Sequence, residues 1–106
     1  MNCPLADVPT LPSGHDVRLL APRPNPATIP VRFVFETVRP VTVRLEVLDL
    51  TGRRVATPEH RFYDAGRHEV VWQGLTDDRR RIPRGVYIVR LSAGAERDAR
   101  TFVLTR

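Results

Sequence analysis

The side chains of this 106-residue chain that could do chemistry are few and scattered. The three histidines, His15, His60 and His68, lack the i, i+3 or i+4 spacing to one another, and the spacing to cysteine or glutamate, that makes a zinc-ligand set. No serine or threonine shows the arrangement of histidine and aspartate that would activate it as a nucleophile. The sequence therefore predicts no enzyme activity, no catalytic residue, no bound metal and no cofactor.

Three aspartates are the best candidates for binding a cation, because they lie in segments rich in turn-forming residues: Asp49, Asp77 and Asp78. Calcium prefers several oxygen ligands from one loop, usually at alternating positions. The adjacent pair Asp77-Asp78 lacks that spacing. Short acidic side chains in turns more often accept hydrogen bonds from nearby backbone N–H groups, so we expect backbone capping at these positions.

The chain is basic, with 17 arginines and no lysine against 12 acidic residues, a formal net charge of +5. Such a balance can indicate binding to nucleic acid or to another anionic surface. The dense run Arg79, Arg80 and Arg81 follows two aspartates, and no aromatic residues alternate with it to stack on bases. We predict no nucleic-acid binding. Contact of this run with an acidic partner or an anionic surface polysaccharide stays open.

Residues 1–16 are rich in proline and are predicted to form a flexible lead or linker, whereas residues 17–106 have the length and apolar content of one domain. The single Cys3 cannot form an internal disulfide. No run of about 18 apolar residues is present, so the sequence predicts no membrane span. No secretory signal opens the chain, and a module working outside the cell would need a preceding segment to carry it there.

Seven segments alternate apolar and polar residues or are rich in β-branched residues, with glycine and proline between them. They are residues 17–20, 31–36, 41–49, 54–57, 67–73, 85–91 and 97–105. Pro58 is expected to end the fourth strand, residues 59–64 show no clear preference, and residues 74–84 are expected to form a long polar loop. This pattern predicts an all-β fold, an immunoglobulin-like antiparallel β-sandwich of about seven strands.

The alternation also predicts which side chains face the core. Trp72 shares a face with His68 and Val70, and we expect it in the core with its indole N–H bonded to a partner. His68 is expected to be partly buried and hydrogen bonded. In the third strand the polar residues Thr42, Arg44 and Glu46 are expected to face solvent, and Val41, Val43, Leu45 and Val47 to face inward. In the last two strands the residues expected to face inward are Tyr87, Val89, Leu91, Phe102 and Leu104.

Several motifs in a fixed order carry a resemblance to a known family. They are PNP at 24–26, VRFVF at 31–35, VRLEVLDLTGRRV at 43–55, AGRHEVVWQG at 65–74, DD at 77–78, GVY at 85–87 and RTFVLTR at 100–106. Together they resemble the C-terminal sorting domain of proteins exported by the type IX (Por) secretion system. They are also similar to the related immunoglobulin-like domain of the flagellar hook-capping protein. Arg79, Arg80 and Arg81 stand where the sorting domains usually have a glycine.

The resemblance implies a non-catalytic β-sandwich at the C-terminal end of a larger extracellular or cell-surface protein. The outer-membrane secretion machinery would recognise this domain, which is often removed while the cargo is attached to the surface. The last two strands would be the part engaged by the machinery, with the basic loop beside them. The residues implied are Gly85, Val86, Tyr87, Arg100, Phe102, Val103, Leu104 and Arg106. Arg79, Arg80 and Arg81 are added as candidates for partner binding because they concentrate positive charge in a loop expected to be exposed.

Two other functions remain open from the sequence. The chain could be a small immunoglobulin-like structural subunit that binds partner proteins of a larger extracytoplasmic complex through an exposed sheet edge. It could also be a carbohydrate-binding module, which would need exposed coplanar aromatic side chains. Four phenylalanines, two tyrosines and one tryptophan, most of them on expected core faces, make this the least favoured of the three.

Overall fold

The computed structural model describes residues 16–22 and 26–105. Within these ranges the chain forms seven strands and no helix, so no helix there is long and apolar enough to cross a membrane. The strands are β1 (Val17–Leu19), β2 (Val31–Thr37), β3 (Val41–Leu48), β4 (Arg54–Tyr63), β5 (Gly66–Trp72), β6 (Gly85–Ala93) and β7 (Glu96–Leu104). The proline-rich lead predicted at residues 1–16 lies almost entirely outside the described residues.

The strands form two antiparallel sheets that pack face to face. The three-stranded sheet has the order β1-β2-β5, and the four-stranded sheet has the order β4-β3-β6-β7. The chain passes from one sheet to the other after β2, β4 and β5, as in immunoglobulin-like sandwiches. The predicted all-β fold with seven antiparallel strands is confirmed.

The core lies between the sheets and consists of the side chains that the alternation of each strand directs inward. On β6, Tyr87, Val89 and Leu91 are buried while the residues between them are more exposed. The ring of Phe33 stacks on Trp72 at 5.9 Å between centroids. Burial of each large apolar side chain contributes about 1.5–3 kcal/mol, so these rows provide most of the driving force for folding.

The outer edge of β7 is covered by segments from the beginning of the chain. The backbone N–H of Leu19 donates to Asp98 Oδ2 at 2.9 Å, and that of Asp16 donates to Glu96 Oε1 at 2.8 Å. Further along β7, Ala27 forms a parallel bridge to Leu104. The first two bonds use side chains of β7 and join the two sheets along one side. Backbone groups at the end of the β7 edge are satisfied by the segment at Ala27, whose N–H donates to the Val103 carbonyl at 2.7 Å and whose carbonyl accepts from the Thr105 N–H at 2.8 Å.

The prediction that Pro58 ends the fourth strand is wrong, because β4 continues through it to Tyr63. β4 is an edge strand of its sheet, where a residue without an N–H need not break the ladder. The pairing of β3 with β4 also shifts between Leu45 and Val47, which indicates a bulge at this point. The part of β4 beyond Pro58 brings the Tyr63 ring to 5.1 Å from the ring of Phe35. Residues for which the sequence showed no clear preference therefore pack at the edge of the core.

Candidate functional site

The hairpin formed by β6 and β7 holds most of the residues implied in partner binding, and the structure separates them into two sets. Tyr87, Phe102 and Leu104 are buried in the core between the sheets. Val86 and Val103 are cross-strand partners on the outer face of the four-stranded sheet, with 39% and 41% of their surface exposed. The two valines therefore form an exposed apolar pair, whereas the three larger side chains can affect a partner only by shaping the hairpin.

Of the remaining implied hairpin residues, Arg100 is bound to its own strand. Its Nη1 donates to Asp98 Oδ1 at 2.8 Å and to the carbonyl of Ala99 at 2.7 Å. Gly85 begins β6 in a left-handed backbone conformation with φ 156°, close to the ring of Tyr87. Arg106 lies outside the described residues. Partner binding by this set stays a prediction.

The basic loop between β5 and β6 is ordered by its own hydrogen bonds. The N–H of Arg79 donates to the Thr76 carbonyl at 2.9 Å, and the N–H of Arg80 donates to Thr76 Oγ1 at 2.9 Å. Arg80 also pairs with Asp78 at 3.3 Å between Nε and Oδ2. The side chains of Arg79, Arg80 and Arg81 are exposed, so this loop can meet a partner even though one of its charges is locally balanced.

Arg79 has a φ of 66°, the left-handed conformation that glycine adopts without steric cost. This is the loop in which the resembled family usually has a glycine. We therefore expect Arg79→Gly to raise the free energy of unfolding by about 0.5–1 kcal/mol, because relief of strain exceeds the added flexibility of the unfolded chain. Urea unfolding measures the change. Arg81→Gly in the same loop is the control, and an equal gain there would contradict the explanation by backbone strain.

Asp49 and Asp77 accept hydrogen bonds from backbone N–H groups, as predicted. Asp49 Oδ1 accepts from the N–H groups of Thr51 at 2.9 Å and Arg53 at 3.0 Å, which closes the turn between β3 and β4. Asp77 Oδ1 accepts from the N–H of Thr57 at 2.7 Å and so holds the basic loop against β4. No group of three or more histidine, cysteine or acidic side chains lies close enough to hold a metal ion in the described part of the chain.

Two predictions for buried ring side chains are confirmed. Trp72 is in the core, and its Nε1–H donates to the carbonyl of Leu75 at 3.0 Å. His68 is partly buried, with Nε2 2.7 Å from the carbonyl oxygen of Asp64 and its ring 4.5 Å from that of Tyr63. Both rings therefore have structural roles. His60 is exposed on β4, and His15 lies outside the described residues.

The expectation that Glu46 is solvated is wrong, since only 5% of its surface is exposed. The residue does point to the outer face of the sheet, but arginine side chains cover it. Arg90 Nη2 lies 2.8 Å from Glu46 Oε1, and Arg54 Nη1 lies 3.6 Å from Oε2. Burial alone would raise the pKa of Glu46, but the hydrogen bonds and charges of the arginines outweigh it and lower the pKa below its usual 4.5.

Acid is expected to destabilise the fold through two carboxyl groups whose pKa is lower in the folded than in the unfolded state. One is Glu46. At Asp98, burial raises the pKa, but hydrogen bonds from the N–H groups of Leu19 and Ala99 and from Arg100 lower it overall. A lowered pKa stabilises the fold above the unfolded value and is lost as the pH falls through the folded value. The melting temperature should therefore decline below about pH 4.5.

Thermal unfolding followed by circular dichroism from neutral pH to pH 2.5 measures this dependence. Glu46→Gln and Asp98→Asn should each be less stable than the wild type at neutral pH and show a flatter decline in acid. Glu69→Gln, which removes an exposed carboxylate bound to Arg32, is the control. A wild-type melting temperature that stays constant down to pH 2.5 would refute the role of both groups.

An open groove at one end of the sandwich was not anticipated from the sequence. It has a volume of about 870 Å³ and includes two of the implied partner-binding residues, Arg81 and Leu104. Its other walls are Ile29, Gln73, Leu75, Ile82, Pro83 and Arg84. The groove is formed by the start of β2, the basic loop and the end of β7. No local pattern could have indicated it, because these segments meet only in the folded chain.

The chain matches no protein-family model and no curated protein sequence. Its fold is nevertheless similar to parts of two solved structures from Porphyromonas gingivalis. Dimeric latent PorU is 19% identical over 89% of this chain and 10% of that chain, with a TM-score of 0.71. PorZ, an essential bacterial surface component of the type-IX secretion system, is 21% identical over 85% of this chain and 11% of that chain, with a TM-score of 0.53.

The fold of this chain is thus similar to one part of each of these proteins. The chain spans about a tenth of the length of either one. At these identities the likeness establishes the fold.

Proposed function

We propose that this module is a non-catalytic sorting domain of the type IX secretion system. In this role the outer-membrane machinery recognises the module and directs an attached cargo to the cell surface. The observation that carries the proposal is the similarity to PorZ, a surface component of that system, over 85% of this chain. The ordered motifs of the sequence, which resemble the sorting domains themselves, support it independently.

The hairpin of β6 and β7 offers the recognition surface for this role. Val86 and Val103 present apolar surface side by side on a sheet face that is otherwise rich in polar side chains. Apolar side chains at the centre of an interface contribute most when a partner excludes water from them. Tyr87 and Phe102, which pack below the valines, keep the hairpin in one geometry and so prepare this surface for binding.

A second candidate function is that of a structural subunit, and the edge of β5 favours it. β5 ends the three-stranded sheet, and within residues 16–22 and 26–105 no backbone hydrogen bond is made to its outer side. The end of the β7 edge, in contrast, is paired through its backbone with the segment at Ala27. A partner strand could extend the sheet at β5 by backbone pairing alone.

A secretion assay tests the first proposal against the second. The full 106-residue chain is fused behind a signal peptide and a reporter, and expressed in a bacterium with type IX secretion and in a strain that lacks it. We expect the reporter at the surface only in the competent strain and only with the module attached. A reporter that stays in the periplasm with and without the module would refute sorting. Copurification of the retained fusion with envelope protein subunits would then support the structural role.

A further inference from the structure

Strand register places four polar side chains in one row across the outer face of the four-stranded sheet. His60 on β4 pairs with Arg44 on β3, Arg44 pairs with Ser92 on β6, and Ser92 pairs with Arg97 on β7. Neighbouring strands are about 4.8 Å apart, so the backbones of Arg44 and Arg97 lie about 10 Å apart with Ser92 between them. All four side chains line one shallow depression of about 340 Å³.

The positive charge of this row is offset only in part, by the carboxylate of Glu46, whose pKa is raised by burial but lowered overall by Arg90, by the charge of Arg44 and by Arg54. Arg44 and Arg97 are exposed, and neither forms an ion pair with any carboxylate in the part of the chain that the structure describes. The one acidic side chain that lines the depression is Glu46, which is already bound by Arg90 and Arg54. Arg44 and Arg97 therefore lie exposed on either side of the Ser92 hydroxyl, and within the described residues neither makes an ion pair of its own.

We infer that Arg44, Ser92 and Arg97, the arginine row, bind the phosphate group of a soluble phosphate monoester. A guanidinium group donates a pair of parallel N–H bonds to an oxyanion. A single guanidinium group that donates in this way occupies both oxygens of a carboxylate. A phosphate monoester has three terminal oxygens and nearly two negative charges at neutral pH, so it can accept from both arginines and from the Ser92 hydroxyl together.

This inference goes beyond the proposed function and does not depend on it. The apolar pair assigned to secretion, Val86 and Val103, lies at the other end of the same two strands. Ser92 is six residues from Val86 along β6, a distance of about 20 Å in an extended strand. A ligand in the arginine row and a protein partner on the valines would occupy separate areas. A variant that loses secretion through the valines should still bind phosphate. A variant that loses phosphate binding through the arginine row should still be secreted.

Titration of the full chain with three probes tests the site. Inorganic phosphate, glucose 6-phosphate and acetate are added at constant ionic strength, and backbone N–H shifts are followed by NMR. We expect saturable binding of both phosphates, with the largest shifts at Arg44, Ser92 and Arg97, and no saturation by acetate. Arg44→Gln and Arg97→Gln should each weaken binding about fivefold to tenfold, because each removes hydrogen bonds to a charged ligand.

The matched control is Arg18→Gln, which removes the same charge from an exposed arginine on β1 in the opposite sheet. It should leave the dissociation constant unchanged within about twofold, and all three variants should melt within a few degrees of the wild type, since their side chains are exposed. Equal loss in Arg18→Gln would show unspecific attraction and overturn the site. NMR shifts centred on Arg79, Arg80 and Arg81 would also overturn the site. Binding to vesicles of anionic phospholipid without binding to either soluble phosphate would overturn the ligand class.

Discussion

Replacement of Phe33 by alanine is expected to lower the free energy of unfolding by about 3–5 kcal/mol. Phe33 is fully buried on β2 and lies at the centre of an aromatic cluster, with ring centroids 5.9 Å from Trp72 and 5.8 Å from Phe102. These rings come from both sheets, so the cavity left by the substitution would separate side chains that hold the sandwich together. Domains of this size are stable by about 5–15 kcal/mol, and the loss is a large part of that total.

Urea unfolding followed by tryptophan fluorescence measures the change, since Trp72 reports directly on this cluster. Phe62→Ala is the matched control, because it removes the same atoms from a ring that is 58% exposed on β4. We expect the control to change stability by no more than about 0.5 kcal/mol. Similar losses for the two variants would mean that the cluster around Phe33 is not the centre of the core.

The second large effect is expected in secretion. Val86→Glu combined with Val103→Glu should reduce the surface-exposed reporter at least about tenfold, while the fold is retained because both side chains are on the outside of the hairpin. The reason is that two unpaired carboxylates would have to be buried where the apolar pair meets the machinery, and burial of an unpaired charge is costly. Quantitative immunodetection of the reporter on intact cells measures the loss.

The controls for this experiment test whether the loss of secretion depends on where the carboxylates are introduced or only on the added negative charge. Val71→Glu introduces a carboxylate at a valine that is 49% exposed on the other sheet, and it should secrete like the wild type. The single variants Val86→Glu and Val103→Glu should each give intermediate levels. Circular dichroism melting of the purified double variant checks that the domain is folded. Normal secretion of a folded double variant would show that the outer face of the hairpin is not part of the recognition surface.

Local alternation was sufficient to predict most strands and the inward-facing residues. Tyr87, Val89 and Leu91 are buried as their spacing indicated, because successive side chains of any strand point to opposite faces regardless of what packs against them. Trp72 was assigned to the core by the same reasoning, and its indole N–H found the partner that burial requires.

The predictions that failed required knowledge of neighbours. Pro58 would interrupt a central strand, but β4 is at an edge, and strand order cannot be derived from the residues around one proline. Glu46 faces outward as predicted, yet it is buried by Arg54 and Arg90 from the two adjacent strands. Exposure therefore depends on which strands become neighbours as well as on side-chain direction.

The same distinction applies to the candidate sites. The sequence alone indicated an all-β sandwich without a recognisable active site and directed attention to the last hairpin and the basic loop. It predicted that Arg44 faces solvent and indicated nothing that would join it to Arg97, because the two residues are far apart along the chain. Pairing of β3, β6 and β7 brings them to either side of Ser92, and packing of β6 and β7 divides the hairpin into buried rings and exposed valines. Side-chain periodicity is a property of each strand, whereas charge clusters, grooves and covered edges arise from contacts between distant segments and exist only in the folded chain.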